Sequence, residues 1–419
     1  SVLRVGAAAA QQQGWAEEKK QGEGVGEVER SLLSDEEQQQ RRPITIRRGM
    51  WQMSSSSAED IIGNIKIRVL GFFDDDRVGD TPSQDSTALS CLYVSTGGPE
   101  WTSNANWMSG DPCTASWYGV YCDGSNVEGI FLGNNGLAGS FPSEIGLLTA
   151  LVDEFDFSSN DISGSVPTEF GLLTALTYGF ALFENSFTGS LPSQLAGLSA
   201  LTSHFELEEN SFTGTIPTEL GGMTALEEFF FLYSNLLTGG VPSQFGRLTK
   251  MTKYLYLQAN ALSKTLPTQL GQLTGLSQFI IQSNSVTGSL PTQIGRMGPM
   301  EQLILDDNSL DSALPSSLCN LTDLMIFSAS NNRLSGRLPA CMVFPDMEVF
   351  NVANNRFHGS LPSVLGWAQL SYLLLHENNF HGSLKALQLN GSTLSSGMNP
   401  DPFEPYYTYY EEFKYFGGN

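Results

Sequence analysis

Residues 180–201 read FALFENSFTGSLPSQLAGLSAL, and this stretch decides the fold because variants of it recur along most of the chain. Its Asn185 is one of eleven asparagines, spaced 25 residues apart five times, then 24 three times and 23 twice. We call them the ladder asparagines and number their coils 1 to 11: Asn135, Asn160, Asn185, Asn210, Asn235, Asn260, Asn284, Asn308, Asn332, Asn355 and Asn378. A repeat of this period predicts a solenoid, in which each coil packs against its neighbours.

Each repeat position has a physical reason. Apolar residues five and three places before each ladder Asn, such as Leu255 and Leu257, alternate like a short strand with one buried face. We expect the Asn amide to donate and accept hydrogen bonds where the chain leaves the strand. A Gly four residues later gives backbone freedom, and a Pro seven residues later precedes a Ser or Thr, as at Thr168, that we expect to N-cap a short helical turn. The exceptions are Lys264 and Ser312 for the Gly and Lys385 for the Pro.

The repeat resembles the plant-type leucine-rich repeat, LxxLxLxxNxLxGxIPxxLGxLxxL, over residues 127–384. This resemblance implies an α/β solenoid: a horseshoe of about eleven repeats with a parallel β-sheet on its concave face and short helical turns on its convex face. It extends to ectodomains of plant receptor-like kinases, to polygalacturonase inhibitors and to stand-alone diatom proteins. Ligand recognition, or inhibition of a secreted hydrolase, is therefore the implied activity.

Residues 81–126 resemble the amino-terminal cap of such proteins. The cap resemblance rests on Trp117-Tyr-Gly-Val-Tyr-Cys122 and implies a disulfide between Cys113 and Cys122, which would contribute roughly 2 to 3 kcal/mol. Cys319 and Cys341 fall on neighbouring coils, close enough for a second bridge.

The cysteines and two glycosylation sequons bear on the cellular compartment. Cys91 is left over, and we expect it to be buried in the cap. Zinc binding is the competing interpretation, but no second His or Cys pair stands at finger spacing. Disulfides indicate an oxidising environment, and the sequons at Asn320 and Asn390 agree with an extracellular or cell-surface glycoprotein.

The two ends of the chain differ from the repeats. Residues 1–80 contain 11 of the 21 basic and 14 of the 44 acidic residues and include Gln and Ser tracts, which predicts a disordered tail. Residues 385–419 form an acidic, Tyr-rich segment. The chain starts at Ser1 without an initiator Met or a secretory signal, and we expect residue 1 to follow a cleavage or a truncated gene model.

Most of the net charge of −23 therefore belongs to the folded part. Phosphate binding depends on surplus Lys and Arg, so nucleic acid and anionic membranes are disfavoured as partners. No stretch approaches 18 apolar residues, and we expect no membrane span in this chain.

No catalytic motif stands out. The sequence contains no Walker loop, kinase signature, nucleophile elbow or HExxH, so we expect neither an enzyme nor a cofactor. His358 and His381 stack on adjacent coils, but further metal ligands are missing nearby, and we expect two surface histidines rather than a metal site.

Positions six, four and two before each ladder Asn should face the concave side. Five aromatic residues fall there on coils 5 and 6, and no Lys or Arg occurs at these positions in any coil. We predict an exposed aromatic patch that binds a protein, peptide or carbohydrate, cationic or neutral, unless the Tyr-rich segment covers it. Its residues are Phe183, Glu206, Glu208, Phe229, Phe231, Tyr233, Tyr254 and Tyr256.

Two other functions compete with recognition. Small hydroxyl residues flank the repeat Gly in two rows, for example Thr188 and Ser190, and a regular hydroxyl array can match ice or a crystalline polysaccharide. The more ordinary interpretation is a solvated second strand. A structural or adhesive wall component is the remaining alternative.

Overall fold

The protein is described by a computed structural model, in which residues 83–362 and 369–381 are placed. The predicted tail at 1–80 and the Tyr-rich segment at 385–419 lie outside the described residues, as do Asn390 and Lys385.

One twelve-stranded sheet runs along the solenoid. Its first strand, Val120–Asp123, pairs antiparallel with coil 1, and all later neighbours pair parallel and in register, as where Phe229 faces Tyr254. The eleven coils each contribute one strand, as predicted: Asn126–Phe131, Glu154–Asp156, Gly179–Ala181, Phe205–Glu206, Phe229–Phe231, Tyr254–Tyr256, Gln278–Ile280, Gln302–Ile304, Ile326–Ser328, Val349–Asn351 and Tyr372–Leu374.

The core lies behind this sheet. In coils 1 to 10 the side chains five and three places before the ladder Asn, such as Phe205 and Leu207, are buried in one continuous cluster. In coil 11 the corresponding Leu373 and Leu375 are half-buried and pack against that cluster. The residues between them therefore face the concave side, because side chains alternate along a strand. This alternation confirms the predicted leucine-rich repeat solenoid.

The ladder asparagines satisfy the backbone at the bend, as the sequence predicted. The Asn235 amide donates to the carbonyl oxygens of Leu207, Leu232 and Tyr233 at 3.1 to 3.3 Å, and its oxygen accepts from the Phe212 N–H at 3.0 Å. The residue before each ladder Asn has a positive φ of 50 to 53°. That left-handed bend, which the sequence reading missed, aims the amide at the neighbouring coils.

A second strand in each coil forms lateral sheets. The repeat Gly adopts a positive φ there, 80° at Gly189, and Lys264 and Ser312 hold the same conformation at 67° and 75°. The lateral strands are Ala138–Gly139, Asp161–Gly164, Ser186–Ser190, Ser211–Thr213, Thr238–Gly239, Ala261–Leu262, Thr287–Gly288, Ser309–Ser312, Arg333–Gly336, Arg356–Gly359 and Asn379–Phe380.

The convex side consists of 3-10 turns. Besides Gly98–Glu100 in the cap they are Ser143–Leu147, Thr168–Leu172, Ser193–Gly197, Thr218–Gly222, Ser243–Arg247, Thr268–Gln272, Thr292–Arg296 and Ser316–Asn320. The predicted Ser or Thr N-cap is wrong. The Pro, in an extended conformation, holds the cap position, so Thr168 is the first residue of its turn and its hydroxyl donates to Glu169 instead.

The turns approach one another closely at a Gly. A Cβ built on Gly246 would lie 2.5 Å from the carbonyl oxygen of Gln269 in the next turn. In coil 8 this Gly is replaced by Cys319, which forms a disulfide with Cys341, their Cα atoms 5.7 Å apart. The bridge therefore joins two adjacent turns covalently.

The amino-terminal cap closes the first coil. Helix α1, Gln84–Ser95, begins at Ser83, whose hydroxyl accepts from the Ser86 N–H, and Cys91 is buried within it. Trp101, Trp107 and Trp117 pack in sequence, with ring centroids 4.8 and 4.9 Å apart, and join the solenoid core.

The cap also contains the predicted disulfide between Cys113 and Cys122, whose Cα atoms lie 5.6 Å apart. Within the described residues no helix has the length and apolarity to span a bilayer.

Candidate ligand-binding site on the concave face

An acidic strand in coil 4 forms one end of the site. The His204 imidazole lies 2.9 Å from the Glu206 carboxylate, and hydrogen bonding and charge from that carboxylate raise the pKa of His204 despite the opposing effect of burial. Glu208 is only 5% exposed. Burial, and then repulsion from Glu206, raise the pKa of Glu208 well above its usual range.

An unbroken row of rings crosses coils 3 to 6. Tyr178 packs against His204 with centroids 5.2 Å apart, His204 stacks on Phe229 at 4.4 Å, and Phe229 packs on Tyr254 at 5.3 Å. Phe229 and Tyr254 are half-buried, and Tyr178 is exposed. The sequence reading missed Tyr178 because it stands seven residues before its ladder Asn, one place outside the positions considered. In the sequence, the signal for Tyr178 was an aromatic residue directly before the strand Gly179–Ala181.

A second row lies deeper, and here one prediction is wrong. Phe231 and Tyr233 were expected to be exposed, but they are 3% and 8% exposed. Phe231 stacks on Tyr256 at 4.7 Å and contacts Phe229 at 5.6 Å. Strands in neighbouring coils lie about 4.8 Å apart, so flat rings at equal heights stack on one another rather than face solvent. The accessible part of the aromatic patch therefore consists of Phe229, Tyr254 and Tyr256, which are half-buried.

Beyond the aromatic patch the concave face becomes aliphatic. Ile280, Ile304, Ile326 and Val349 pack together as a cluster separate from the main core. The sequence reading placed some of these side chains on this face without assigning them a role.

A buried carboxyl interrupts this aliphatic region. One oxygen of Asp306 accepts from the Ser328 hydroxyl at 2.6 Å and from both the N–H and the hydroxyl of Ser330, at 2.6 and 2.5 Å. Burial raises its pKa to about 6, although these hydrogen bonds lower it. In the sequence, an acidic residue among apolar outward positions was the signal that could have identified Asp306.

The remaining candidates lie elsewhere. Phe183, half-buried, precedes Glu208 at the same repeat position. His358 and His381 are exposed on the lateral strands, and within residues 83–362 and 369–381 no cluster of three His, Cys, Asp or Glu side chains is arranged to hold a metal.

The lateral hydroxyl rows have a structural use. The Ser163 and Thr238 hydroxyls each donate at 3.0 Å to a Gly carbonyl of the preceding coil. Thr188 is exposed but makes the same contact at 3.4 Å. The row that precedes the repeat Gly therefore supports the lateral strands, in agreement with the more ordinary interpretation.

Comparison with known proteins gives related repeats rather than a full-length relative. No protein-family model matches the chain. A probable leucine-rich repeat receptor-like protein kinase of Arabidopsis thaliana is 39% identical over 93 residues, which are 22% of this chain and 9% of that protein.

Among solved structures, the leucine-rich repeat ectodomain of the Arabidopsis thaliana receptor kinase GASSHO1/SCHENGEN3, in complex with CASPARIAN STRIP INTEGRITY FACTOR 2, is 25% identical with a TM-score of 0.60. The match covers 72% of this chain and 42% of that chain. The Arabidopsis receptor kinase HAESA, in complex with the peptide hormone IDA and the co-receptor SERK1, is 29% identical with a TM-score of 0.54, covering 71% and 54%. The matches thus span about half the length of these solved chains and 9% of the receptor-like kinase.

A plant ice-binding protein shares the fold, with a TM-score of 0.56 at 21% identity over 75% of this chain and 98% of that chain. At this identity the likeness concerns the fold alone. The eleven-coil sheet, its asparagine ladder and these matches make the chain a leucine-rich repeat solenoid of the plant type that resembles the ectodomains of plant receptor kinases.

Proposed function

We propose that this chain is a non-enzymatic recognition protein, extracellular or displayed at the cell surface, that binds a peptide segment on coils 3 to 6 of its concave face. The observation that carries the proposal is the continuous ring row from Tyr178 to Tyr254, which borders the carboxylates of coil 4. Half-exposed aromatic side chains provide large contact areas at low entropic cost, and they are enriched where binding energy concentrates.

The comparisons support a peptide as the ligand. The HAESA structure contains a peptide hormone, and its repeats resemble this chain at 29% identity. A carbohydrate would also stack on aromatic rings, but the carboxylates of Glu206 and Glu208 beside them favour a ligand that carries positive charge. A peptide with basic side chains matches both features.

The disulfides and one sequon support the extracellular location. Both bridges join surface elements, and such bonds persist in oxidising compartments. Asn320, in the sequon Asn-Leu-Thr, is exposed at the end of its turn and is therefore available for glycosylation.

The experiment is selection of a random peptide display library on the purified chain, followed by titration of the enriched peptides. Against the double variant Phe229→Ala/Tyr254→Ala, we expect the Kd of the enriched peptides to rise about tenfold or more. Leu172→Ala, which truncates an exposed side chain on a convex turn, is the matched control and should leave the Kd unchanged.

Two results would contradict the proposal. Enriched peptides that bind wild type and the aromatic double variant equally would place binding elsewhere. Binding of soluble glucans or xylans, lost in the same variant, with no peptide enriched, would make the ligand a carbohydrate.

A further inference from the structure

The concave face contains a row of buried polar groups with incomplete hydrogen bonding. Among the described residues, five buried side-chain oxygens have no hydrogen-bond partner. Three of them stand at the same repeat position, two residues before the ladder Asn: Glu208 Oε2, Gln258 Oε1 and Asp306 Oδ2. We call these three the acceptor row. A shared repeat position is not expected of unrelated packing defects, since an unmet buried acceptor costs stability.

The acceptor row is buried and short of donors. Its three residues are 5 to 6% exposed. Around Glu208 the titratable neighbours are Glu206, Glu209, Glu184 and Tyr233, all acidic groups. Within residues 83–362 and 369–381 no cationic side chain forms an ion pair with Glu208, whose pKa burial raises. The three donors to Asp306 all reach its other oxygen.

The spacing of the row is regular. The three residues belong to coils 4, 6 and 8, and strands in a sheet lie about 4.8 Å apart, so consecutive acceptors are about 9.6 Å apart. A polyproline II helix advances about 3.1 Å per residue with three residues per turn, which is about 9.3 Å per turn. Side chains at i, i+3 and i+6 of such a helix would therefore meet the three acceptors in turn. An extended β-strand has a period of two residues and does not match this spacing.

We propose that the acceptor row binds a basic peptide in the polyproline II conformation, with cationic side chains at i and i+6 on Glu208 and Asp306 and a neutral donor at i+3 on Gln258. This inference rests on the proposed function and names its ligand class. The aromatic rows supply the flat surfaces on which proline rings pack in other grooves. Phe183 and Tyr233 flank Glu208 on the neighbouring coils. A basic side chain reaches Glu208 when these two side chains change rotamer, which is a fast motion in proteins.

The absence of Lys and Arg from the outward strand positions of all eleven coils fits this ligand. A cation that enters the row meets no Lys or Arg at these positions, and the imidazole of His204 is paired with Glu206. The hydrogen bond that the cation forms to a buried carboxylate is stronger than a neutral one. The same arrangement disfavours an acidic peptide, because a second carboxylate would add to the unmet negative charge beside Glu208.

The test uses the full chain and synthetic peptides. The probe is Arg-Pro-Pro-Gln-Pro-Pro-Arg. Its first control replaces both arginines by citrulline, whose planar ureido group is uncharged and keeps three of the five N–H donors. Its second control moves the last Arg from the seventh place to the sixth. We expect each control to bind about tenfold more weakly than the probe by calorimetric titration.

Variants of the chain assign the contacts. Glu208→Gln and Asp306→Asn keep shape and remove charge, and each should weaken the arginine peptide about tenfold while leaving the citrulline peptide unchanged. Glu301→Gln, at an exposed carboxylate directly before the strand Gln302–Ile304, is the matched control and should change neither.

The inference is overturned if the arginine and citrulline peptides bind equally, if both variants bind the probe as wild type does, or if the probe shows no binding. None of these results decides whether the proposed function is correct, because that function has its own test. Library peptides lost in Phe229→Ala/Tyr254→Ala would still support recognition on this face, whereas their retention would contradict it.

Discussion

Asp306 and Ser328 are joined across adjacent coils by a 2.6 Å hydrogen bond, in which the serine hydroxyl donates to Oδ1 of the carboxyl group. Oδ2 of the same group is buried without a partner. Oδ1 of the carboxyl group thus has hydrogen-bond donors and Oδ2 has none. The neighbours on the same face include the apolar side chains of Ile280, Ile304 and Ile326. This asymmetry links the stability of the solenoid to pH.

We predict that the stability of the protein falls as pH rises from about 4 to about 6 because of Asp306. Its pKa in the folded chain is about 6, above the ordinary 3.8. The folded state therefore binds the proton more tightly, and ionisation favours unfolding by about 3 kcal/mol at neutral pH. Asp306→Asn should raise the Tm at pH 7 and leave it nearly unchanged at pH 4.

Thermal unfolding of both proteins across this pH range measures the effect, with Glu301→Gln as the exposed control. Equal Tm differences at pH 4 and pH 7 would contradict it. If the acceptor row also binds a basic peptide, the same substitution should weaken that binding while it stabilises the free protein.

A second prediction concerns the asparagine ladder. Asn235 is buried and serves three carbonyl oxygens and one N–H, which belong to the preceding coil and to its own coil. Asn235→Ala removes the acceptor of the buried Phe212 N–H, whereas the three carbonyl oxygens each keep one other donor, from Asn210, Asn260 and the Glu209 N–H. A buried donor without a partner costs about 1 to 3 kcal/mol, and we expect a loss of this size in the free energy of unfolding by urea titration.

Leu236→Ala is the control, because this adjacent side chain is 57% exposed and its loss should cost little. Similar losses for the two variants would show that the amide is not the source of the effect.

The sequence predicted the fold well because the fold repeats. Eleven asparagines in register determine the strand, the bend and the direction of each side chain, so the concave positions of Phe229 and Glu206 followed from counting. Exposure did not follow from counting. Whether Phe231 faces solvent depends on the rings beside it, and the row through Tyr178 depends on a residue outside the consensus strand. The local hydrogen bonds of Asp306 likewise depend on serines one coil away, which a single repeat does not reveal.

A third prediction concerns the close approach of the convex turns. A Cβ at Gly246 would lie 2.5 Å from the Gln269 carbonyl oxygen, a backbone atom that cannot move without shifting the next turn. Gly246→Ala should therefore destabilise the solenoid by about 1 to 3 kcal/mol. Gly222→Ala is the matched control, because Gly222 ends the preceding turn and a Cβ there meets nothing within 4 Å. Chemical denaturation of both variants tests the difference, and equal stabilities would contradict the stacking argument.

The last prediction concerns the two coils that lack the repeat Gly. Lys264 and Ser312 hold positive φ angles of 67° and 75°, where other coils place Gly at 76 to 93°, apart from the 118° of Gly139 in coil 1. A side chain in this region costs about 1 to 2 kcal/mol, partly offset by the greater flexibility of Gly in the unfolded chain. Lys264→Gly and Ser312→Gly should each stabilise the protein by about 0.5 to 1 kcal/mol, measured as an increase in the urea midpoint. Lys264→Ala distinguishes the backbone contribution to stability from that of the lysine side chain, because it removes the charge and keeps the unfavourable φ. An equal gain from the Ala and Gly variants would attribute the effect to the lysine side chain and contradict the backbone explanation.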